Sequence, residues 1–375
     1  MIPTPQHKPP ILNHTPTSTV LPPLPPDCGE DFSGDEKVDL GGKDKARART
    51  PFPFDVQALT FENKIPEDGF TFMNPSIVMA PENNRYLIAV REASHHFCPG
   101  HVIVYTGHTF ESRVLFGVAD NPRGPVKYCS TFSQRSPVYR MFYGPEDPRF
   151  IYLSSPGKKG KKTLYMTYVL DGTMHLSQVH YTVSKNGCKA KETNRLQMWV
   201  SGTNKNLMQK NWMFIPDSTT RDGKPLFAYQ LNPLKVLAIN MKTGEGRLVS
   251  AQHRLDCVPS LRGSTMFLHH PTKPNVFIGI AHETVSRRRN YYSRVIMVEE
   301  FKPQLFRLTG MSDRFGIPSH NDNICVDRIH FPSSMMYADD NKETIVIGMG
   351  YQDCTIHTVQ VKTSDLLSSV KPLSC

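Results

Sequence analysis

One hairpin pattern is written five times along this chain, and it constrains the fold more than any other feature. Each copy opens on a Pro-, Gly- or Ser-marked polar start, runs as an apolar strand, turns, and returns as a second apolar strand with a polar end. The first copy runs from Asn74 (NPSIVMA) to Arg91, the second from Glu146 through a lysine-rich turn to Tyr168, and the third from Lys210 (KNWMFIP) to Tyr229. The fourth runs from Arg262 (RGSTMFL) to His282, and the fifth from Arg328 (RIHFPSSMM) to Tyr351 and Asp353. Distances within the copies are 17, 22, 19, 20 and 23 residues, and successive starts lie 72, 64, 52 and 66 residues apart. That spacing suits four-stranded units with long loops, repeated radially. No 18-residue apolar run and no long 3.6-residue period competes with the strands. The expected fold is all-β, a five-bladed β-propeller over residues 53–375.

The hairpins also say where chemistry collects. In an antiparallel pair the start of one strand and the end of the next share an edge. Asn74, Asp147, Arg149, Lys210, Arg262, His282, Tyr351 and Asp353 are therefore expected at one mouth of the funnel. The densest stretch is Gly144-Pro145-Glu146-Asp147-Pro148-Arg149-Phe150. Its prolines disfavour helix, so the segment reads as extended. On extended backbone Asp147 and Arg149 face one side and Glu146 the other. Taken alone, this stretch reads more readily as a surface turn with an ion pair. The context of five repeats favours a site with one acid among several cations. Hydrolytic glycosidases generally use two carboxylates. A phosphorylase needs one, because phosphate is the nucleophile and demands a cationic cradle.

The ordered set GPEDPR, KNW, RGST, GIAHE and GYQD resembles glycoside hydrolase family 130. It resembles more strongly the related β-1,2-mannosyltransferases and phosphorylases of glycosyltransferase family 108. The resemblance spans about residues 70 to 360. It implies a five-bladed propeller that transfers β-mannosyl groups with inversion. The implied donors are GDP-mannose or mannose 1-phosphate, with inorganic phosphate as the reverse substrate. The implied acceptor is mannose or a β-1,2-mannooligosaccharide, and no cofactor or metal is implied. By the same resemblance Asp147 is the catalytic acid/base. Arg149, Lys210, Arg262, His282 and Tyr292 match phosphate- or nucleotide-binding positions. Asn74, Arg91, Tyr229 and Asp353 match sugar-binding positions. Two features depart from the pattern: a glycine-proline-rich stretch after the fourth start is missing, and the loop Ser286 to Asn290 is unusually basic. The alternatives are a non-catalytic carbohydrate-binding propeller and a β-mannoside hydrolase, for which Asp353 is the candidate second carboxylate.

Charge agrees with an anionic partner. Lys and Arg number 44 against 34 Asp and Glu, a formal net charge of +10. Nucleic acid fits less well, because the basic runs Lys158 to Lys162 and Arg287 to Arg289 are short and no nucleic-acid-binding signature accompanies them. The first run reads as a solvated hairpin loop. The second is balanced between that and a contact over the donor. The eight cysteines show no CxxC, and with no leader apparent they read as reduced, packed thiols in a cytoplasmic protein. His95, His96, Cys98 and His101 are too crowded for a closed zinc site. Asp339-Asp340 reads as turn chemistry. Trp212 is balanced between sugar stacking and packing. Residues 1–52, rich in proline (LPPLPP), read as a disordered or loosely docked tail, with Asn13 as the sole glycosylation sequon. No segment is apolar enough to imply a membrane, and oligomeric state is open.

Overall fold

The computed structural model describes residues 53–62, 64, 70–82, 84–94, 110–134, 142–154, 162–184, 187–205, 210–219, 222–285, 290–316, 330–351 and 355–374. The tail, the histidine-rich segment at 95–101, Arg287 to Arg289, Arg328 and Asp353 lie outside them.

The described chain is almost entirely strand, with one six-residue helix, Thr363–Ser368. The strands form successive antiparallel meanders. The first contains Phe70–Ala80, Arg85–Ser94, Phe110–Ala119 and Val126–Phe132. The second contains Glu146–Ser154, Lys162–Leu170, Thr173–Ser184 and Gly187–Val200. The third contains Met213–Thr219, Pro225–Leu231, Leu234–Ile239 and Glu245–Ala251, and joins the second through a short parallel pairing of their last strands. In the fourth, the short strands Leu261–Gly263 and Leu268–His269 share the edge of Val276–Val285, followed by Asn290–Lys302 and Leu305–Ser312. The fifth contains His330–Tyr337, Thr344–Tyr351 and Thr355–Lys362, and its fourth strand is the early segment Asp55–Ala58.

The apolar side chains explain this arrangement. Five buried clusters each lie between consecutive meanders. One joins Phe150, Leu164 and Met166 to Leu87, Ala89 and Val114. Another joins Ile77, Ile88 and Val90 of the first meander to Met336 and Val346 of the fifth. The series thus closes on itself. A middle strand covered on both faces reads as an apolar run, such as Leu87-Ile88-Ala89-Val90, rather than as an alternation. The outer strand Gly187–Val200 has few covered residues and is correspondingly polar. Trp212 is buried, 1% exposed, and packs on Phe227 and Tyr229, which settles it as a packing residue.

Serine hydroxyls stitch the meanders at their inner edges. The Phe150 amide donates to Ser76 Oγ at 2.8 Å, and Ser333 and Ser334 donate to the Pro75 carbonyl at 2.7 and 2.9 Å. The cysteines depart from the expectation of reduced thiols. Cys129 and Cys188 form a disulfide with 4.7 Å between their Cα atoms, and Cys257 is also disulfide-bonded. The Cys129–Cys188 bond ties the last strand of the first meander to that of the second. Their separation of 59 residues gives no pairing signal in the sequence. The bond removes one of the grounds for placing the chain in a reducing compartment. Among the described residues no helix is long and apolar enough to cross a membrane.

Candidate active site

Three successive meanders open with the same backbone device. Asn74, Asp147 and Asn211 have φ of 53°, 51° and 67°, in the left-handed region. Each stands two residues before a paired position of its inner strand, at Ser76, Arg149 and Met213. Asn and Asp are the side-chain-bearing residues that best tolerate this conformation. Strain of this kind costs about 1 kcal/mol or more and persists only where the surroundings fix it. At Asn74 and Asp147 the pairing register slips across the Asx-Pro step, forming a bulge that re-aims the side chains.

The bulge corrects one expectation. Glu146 does not turn away from Asp147. Both carboxylates meet the Arg91 guanidinium, Glu146 Oε2 at 3.0 Å and Asp147 Oδ1 at 3.4 Å. The left-handed turn at Asp147 breaks the alternation that an extended strand would impose. Arg91 is held from behind by Ser112, which accepts from its Nε at 3.0 Å and donates to the Pro145 carbonyl at 2.7 Å. Gly144, at φ 98°, permits this close fit, since a β-carbon there would lie 1.8 Å from the Ser112 carbonyl oxygen.

Asp147 Oδ1 also accepts from Asn74 Nδ2 at 2.7 Å. Its other oxygen, Oδ2, takes no hydrogen bond from a described residue and is not sealed in. Burial alone would raise the Asp147 carboxyl, but Arg91, Arg149, Lys210 and the Asn74 amide together hold it below its usual range. Glu146 moves the other way. Burial raises it, with Asp147 and Asp171 reinforcing and Arg91 and Lys210 opposing. The two adjacent carboxyls are thereby pushed apart, Asp147 down and Glu146 up.

The cations gather around Asp147 and His282. Arg149 is 2% exposed, and burial lowers its guanidinium to about 10 against the pull of Asp147. Its NH2 donates to Asn211 Oδ1 at 3.4 Å, its Cζ lies 5.8 Å from the Phe331 ring centre, and its Nε is buried without a hydrogen-bond partner among the described residues. Lys210 and Arg262 are exposed, and neither has a hydrogen-bonding or ion-pairing partner among the described residues. Arg262 is the register partner of His282, across the edge of the fourth meander. His282 is 2% exposed, contacts Ser264 Oγ through Nδ1 at 2.8 Å, and packs on Tyr291 and Phe331. Burial, with Arg149, Arg262 and Lys210 around it, pushes its imidazole down to about 3. It is therefore a neutral ring at physiological pH and not a fourth cation.

Asn74, Arg91, Asp147, Arg149, Lys210, Arg262 and His282 thus share one electrostatic neighbourhood, although they come from four meanders. Tyr229 instead packs edge-on against Trp212 at 6.2 Å. Tyr292 lies under the Arg314 guanidinium at 5.4 Å, beside the pairs that Arg314 and Arg294 make with Glu283. Tyr351 is buried between His330 and His357. Sequence reading overlooked Asn211, Ser112, Ser264 and Phe331. Asn211 had a signal, since it stands where Asn74 and Asp147 stand in their repeats.

No family model matches the chain, and no curated protein is a significant sequence match. Solved structures share its fold. A β-1,2-mannobiose phosphorylase from Listeria innocua, in complex with β-1,2-mannobiose, aligns with a TM-score of 0.52 at 10% identity, over 82% of this chain and 94% of that one. A mannose phosphorylase from Leishmania mexicana in complex with phosphate aligns at 0.45 and 11% identity, over 85% and 91%. A GDP-mannose-dependent mannosyltransferase from the same organism aligns at 0.43 and 12% identity, over 82% and 90%. At such identity the likeness is one of fold, all-β and propeller-like.

Proposed function

We propose that this chain is a five-bladed β-propeller enzyme that transfers β-mannosyl groups with inversion, on and off phosphate. The donors are mannose 1-phosphate or GDP-mannose, and the acceptor is mannose or a short β-1,2-mannoside. The observation that carries this reading is the half-tethered carboxylate. Asp147 Oδ1 is fixed by Asn74 and Arg91, while Oδ2 takes no hydrogen bond from a described residue and lies in the field of Lys210, which has no hydrogen-bonding or ion-pairing partner among the described residues.

In the synthetic direction Asp147 accepts the proton of the acceptor hydroxyl as that oxygen bonds to the mannosyl anomeric carbon. The bond from that carbon to the phosphate oxygen breaks, and the departing phosphate takes the electron pair. Arg149, Lys210 and Arg262 stabilise its charge. A carboxyl held ionised by its neighbours suits this role. In phosphorolysis the flow reverses, and Asp147 must hold a proton to give the leaving sugar oxygen. A phosphate dianion on Arg149 and Lys210 offsets part of the field that keeps Asp147 ionised. Binding the anion thereby favours the protonation state that the reverse reaction needs. The Listeria innocua structure holds β-1,2-mannobiose on the same fold, which supports the choice of sugar.

The test is incubation with mannose 1-phosphate, or separately GDP-mannose, and mannose, following phosphate or GDP release and β-1,2-linked product. Asp147→Asn should lower turnover about 100-fold or more, the usual scale of general acid–base catalysis. A folded Asp147→Asn protein with wild-type turnover would falsify the assignment.

A further inference from the structure

Asn74 and Asn211 stand at the same left-handed position of the first and third meanders, flanking Asp147 at that position of the second. Each spends its amide on a charged group of the meander between them. Asn74 gives its Nδ2 hydrogen to Asp147, at 2.7 Å, and Asn211 offers Oδ1 to Arg149, at 3.4 Å. The opposite ends fit the opposite charges: a donor meets the carboxylate and an acceptor meets the guanidinium. Both residues are buried. Asn74 Oδ1 is enclosed without a donor, and a β-carbon on Gly350 would lie 2.3 Å from it. Asn74 Oδ1 is therefore closed to a sugar hydroxyl, and one hydrogen of its Nδ2 is committed to Asp147.

We propose that Asn74 and Asn211 are positioning residues that aim Asp147 and Arg149, and that the shared left-handed turn exists to reach them. This rests on the function proposed above. Asn74 and Arg91 confine Oδ1, so Oδ2 alone is left for proton transfer. Asn211 fixes the plane of Arg149, which has no other hydrogen-bonding side-chain partner among the described residues. The charged or titratable groups around Asp147 are Arg91 and Glu146, Arg149 on its own strand, Lys210 ahead of the third meander and His282 of the fourth. Asp171, in the turn after Leu170, acts on Glu146.

The test uses glycine, which adopts positive φ without strain and removes the side chain, its amide included. Asn74→Gly should melt within a few degrees of the wild type, while kcat falls on the order of 10- to 100-fold, the scale of a misplaced catalytic group. Losing the Asn74 hydrogen bond raises the Asp147 carboxyl, so the acidic limb of the synthetic pH–rate profile should move to higher pH. Asn74→Asp, which keeps the turn but replaces a donor with a negative charge, should move it further. Asn211→Gly should instead raise KM for the anionic substrate and leave that limb in place. Wild-type kcat and pH profile in Asn74→Gly overturn the proposal. Losses that merely track a lowered melting temperature in both glycine variants overturn it too. Asp147→Asn separates the layers: if it is inactive while Asn74→Gly is wild-type, only this proposal fails. If Asp147→Asn remains active, the functional reading fails first.

Discussion

The inner ends of the first three meanders carry charge, and those of the last two carry rings. On the first side stand Asn74, Arg91, Glu146, Asp147, Arg149 and Lys210, with three left-handed residues. On the second side His282 packs on Tyr291 and Phe331, and His330 packs on Tyr351 with their ring centres 4.7 Å apart. Arg262 is an exposed cation of that side. Burial acts on both sides with different outcomes. The buried carboxylate is kept ionised because three cations surround it. The buried histidines shed their protons, His282 to about 3 and His330 to about 4, because burial and neighbouring groups of like charge offer them no counter-charge large enough. A buried charge survives only where partners exist, and a titratable ring without them becomes an apolar wall.

Arg149 is where the two sides meet, since it pairs with Asn211 on one and faces Phe331 on the other. Arg149→Ala should be the most damaging single change after loss of Asp147 itself. A charge-assisted contact of about 1.5–3 kcal/mol corresponds to roughly 10- to 150-fold weaker binding of phosphate or mannose 1-phosphate. The same change should raise the Asp147 carboxyl, because Arg149 is one of the charges holding it down. Arg149→Lys keeps the charge and loses the fork, so it should fall between. Anion affinity measured by calorimetry checks both, and an unchanged affinity in Arg149→Ala would detach the buried guanidinium from the site.

Phe331 tests how much the ring side contributes to holding that cation. Phe331→Leu keeps an apolar side chain and removes the π face at 5.8 Å from Arg149. Loss of a desolvated cation–π contact of about 1 kcal/mol should weaken anion binding by roughly 5-fold, with a smaller effect on kcat. An effect as large as that of Arg149→Ala would mean that the two sides form one cooperative unit.

The strands were legible because covered inner strands must be apolar on both faces, and hairpin starts were legible because polar residues interrupt those runs. Asp147, Arg149, Lys210, Arg262 and His282 could be picked out by that logic alone. Glu146 could not be oriented. The pre-proline rule points to extended backbone, whereas a left-handed residue at 147 redirects its neighbours. The parallel Asn74-Pro75, Asp147-Pro148 and Asn211 was a readable warning, since Asn and Asp are the residues that accept positive φ. The charge state of His282 was beyond sequence, because it depends on burial and on cations brought from other meanders.

His282 gives the smallest expected effect and a sharp test of the comparison. A cationic histidine would make anion binding tighten as pH falls through the ordinary imidazole range near 6.5. With the folded value pushed down to about 3, His282 gains no proton between pH 8 and 5.5. Sulfate is the useful probe, being a dianion across this window while phosphate itself titrates. Glu146, raised by burial, is free to shape the profile at its acidic end. The informative measurement is therefore a difference: sulfate affinity against pH for the wild type and for His282→Gln should run parallel from pH 8 to 5.5. Tightening below about pH 6.5 that is present in the wild type and absent in His282→Gln would return His282 to the cations. The same shift has a stability sign. The unfolded chain binds a proton at His282 below about 6.5 and the folded chain does not until near 3. Stability from this residue is therefore complete above about 6.5 and declines as pH falls toward 3. His282→Gln should flatten that decline in acid-melting curves, and an unaltered slope would mean that the ring is not held neutral by the fold.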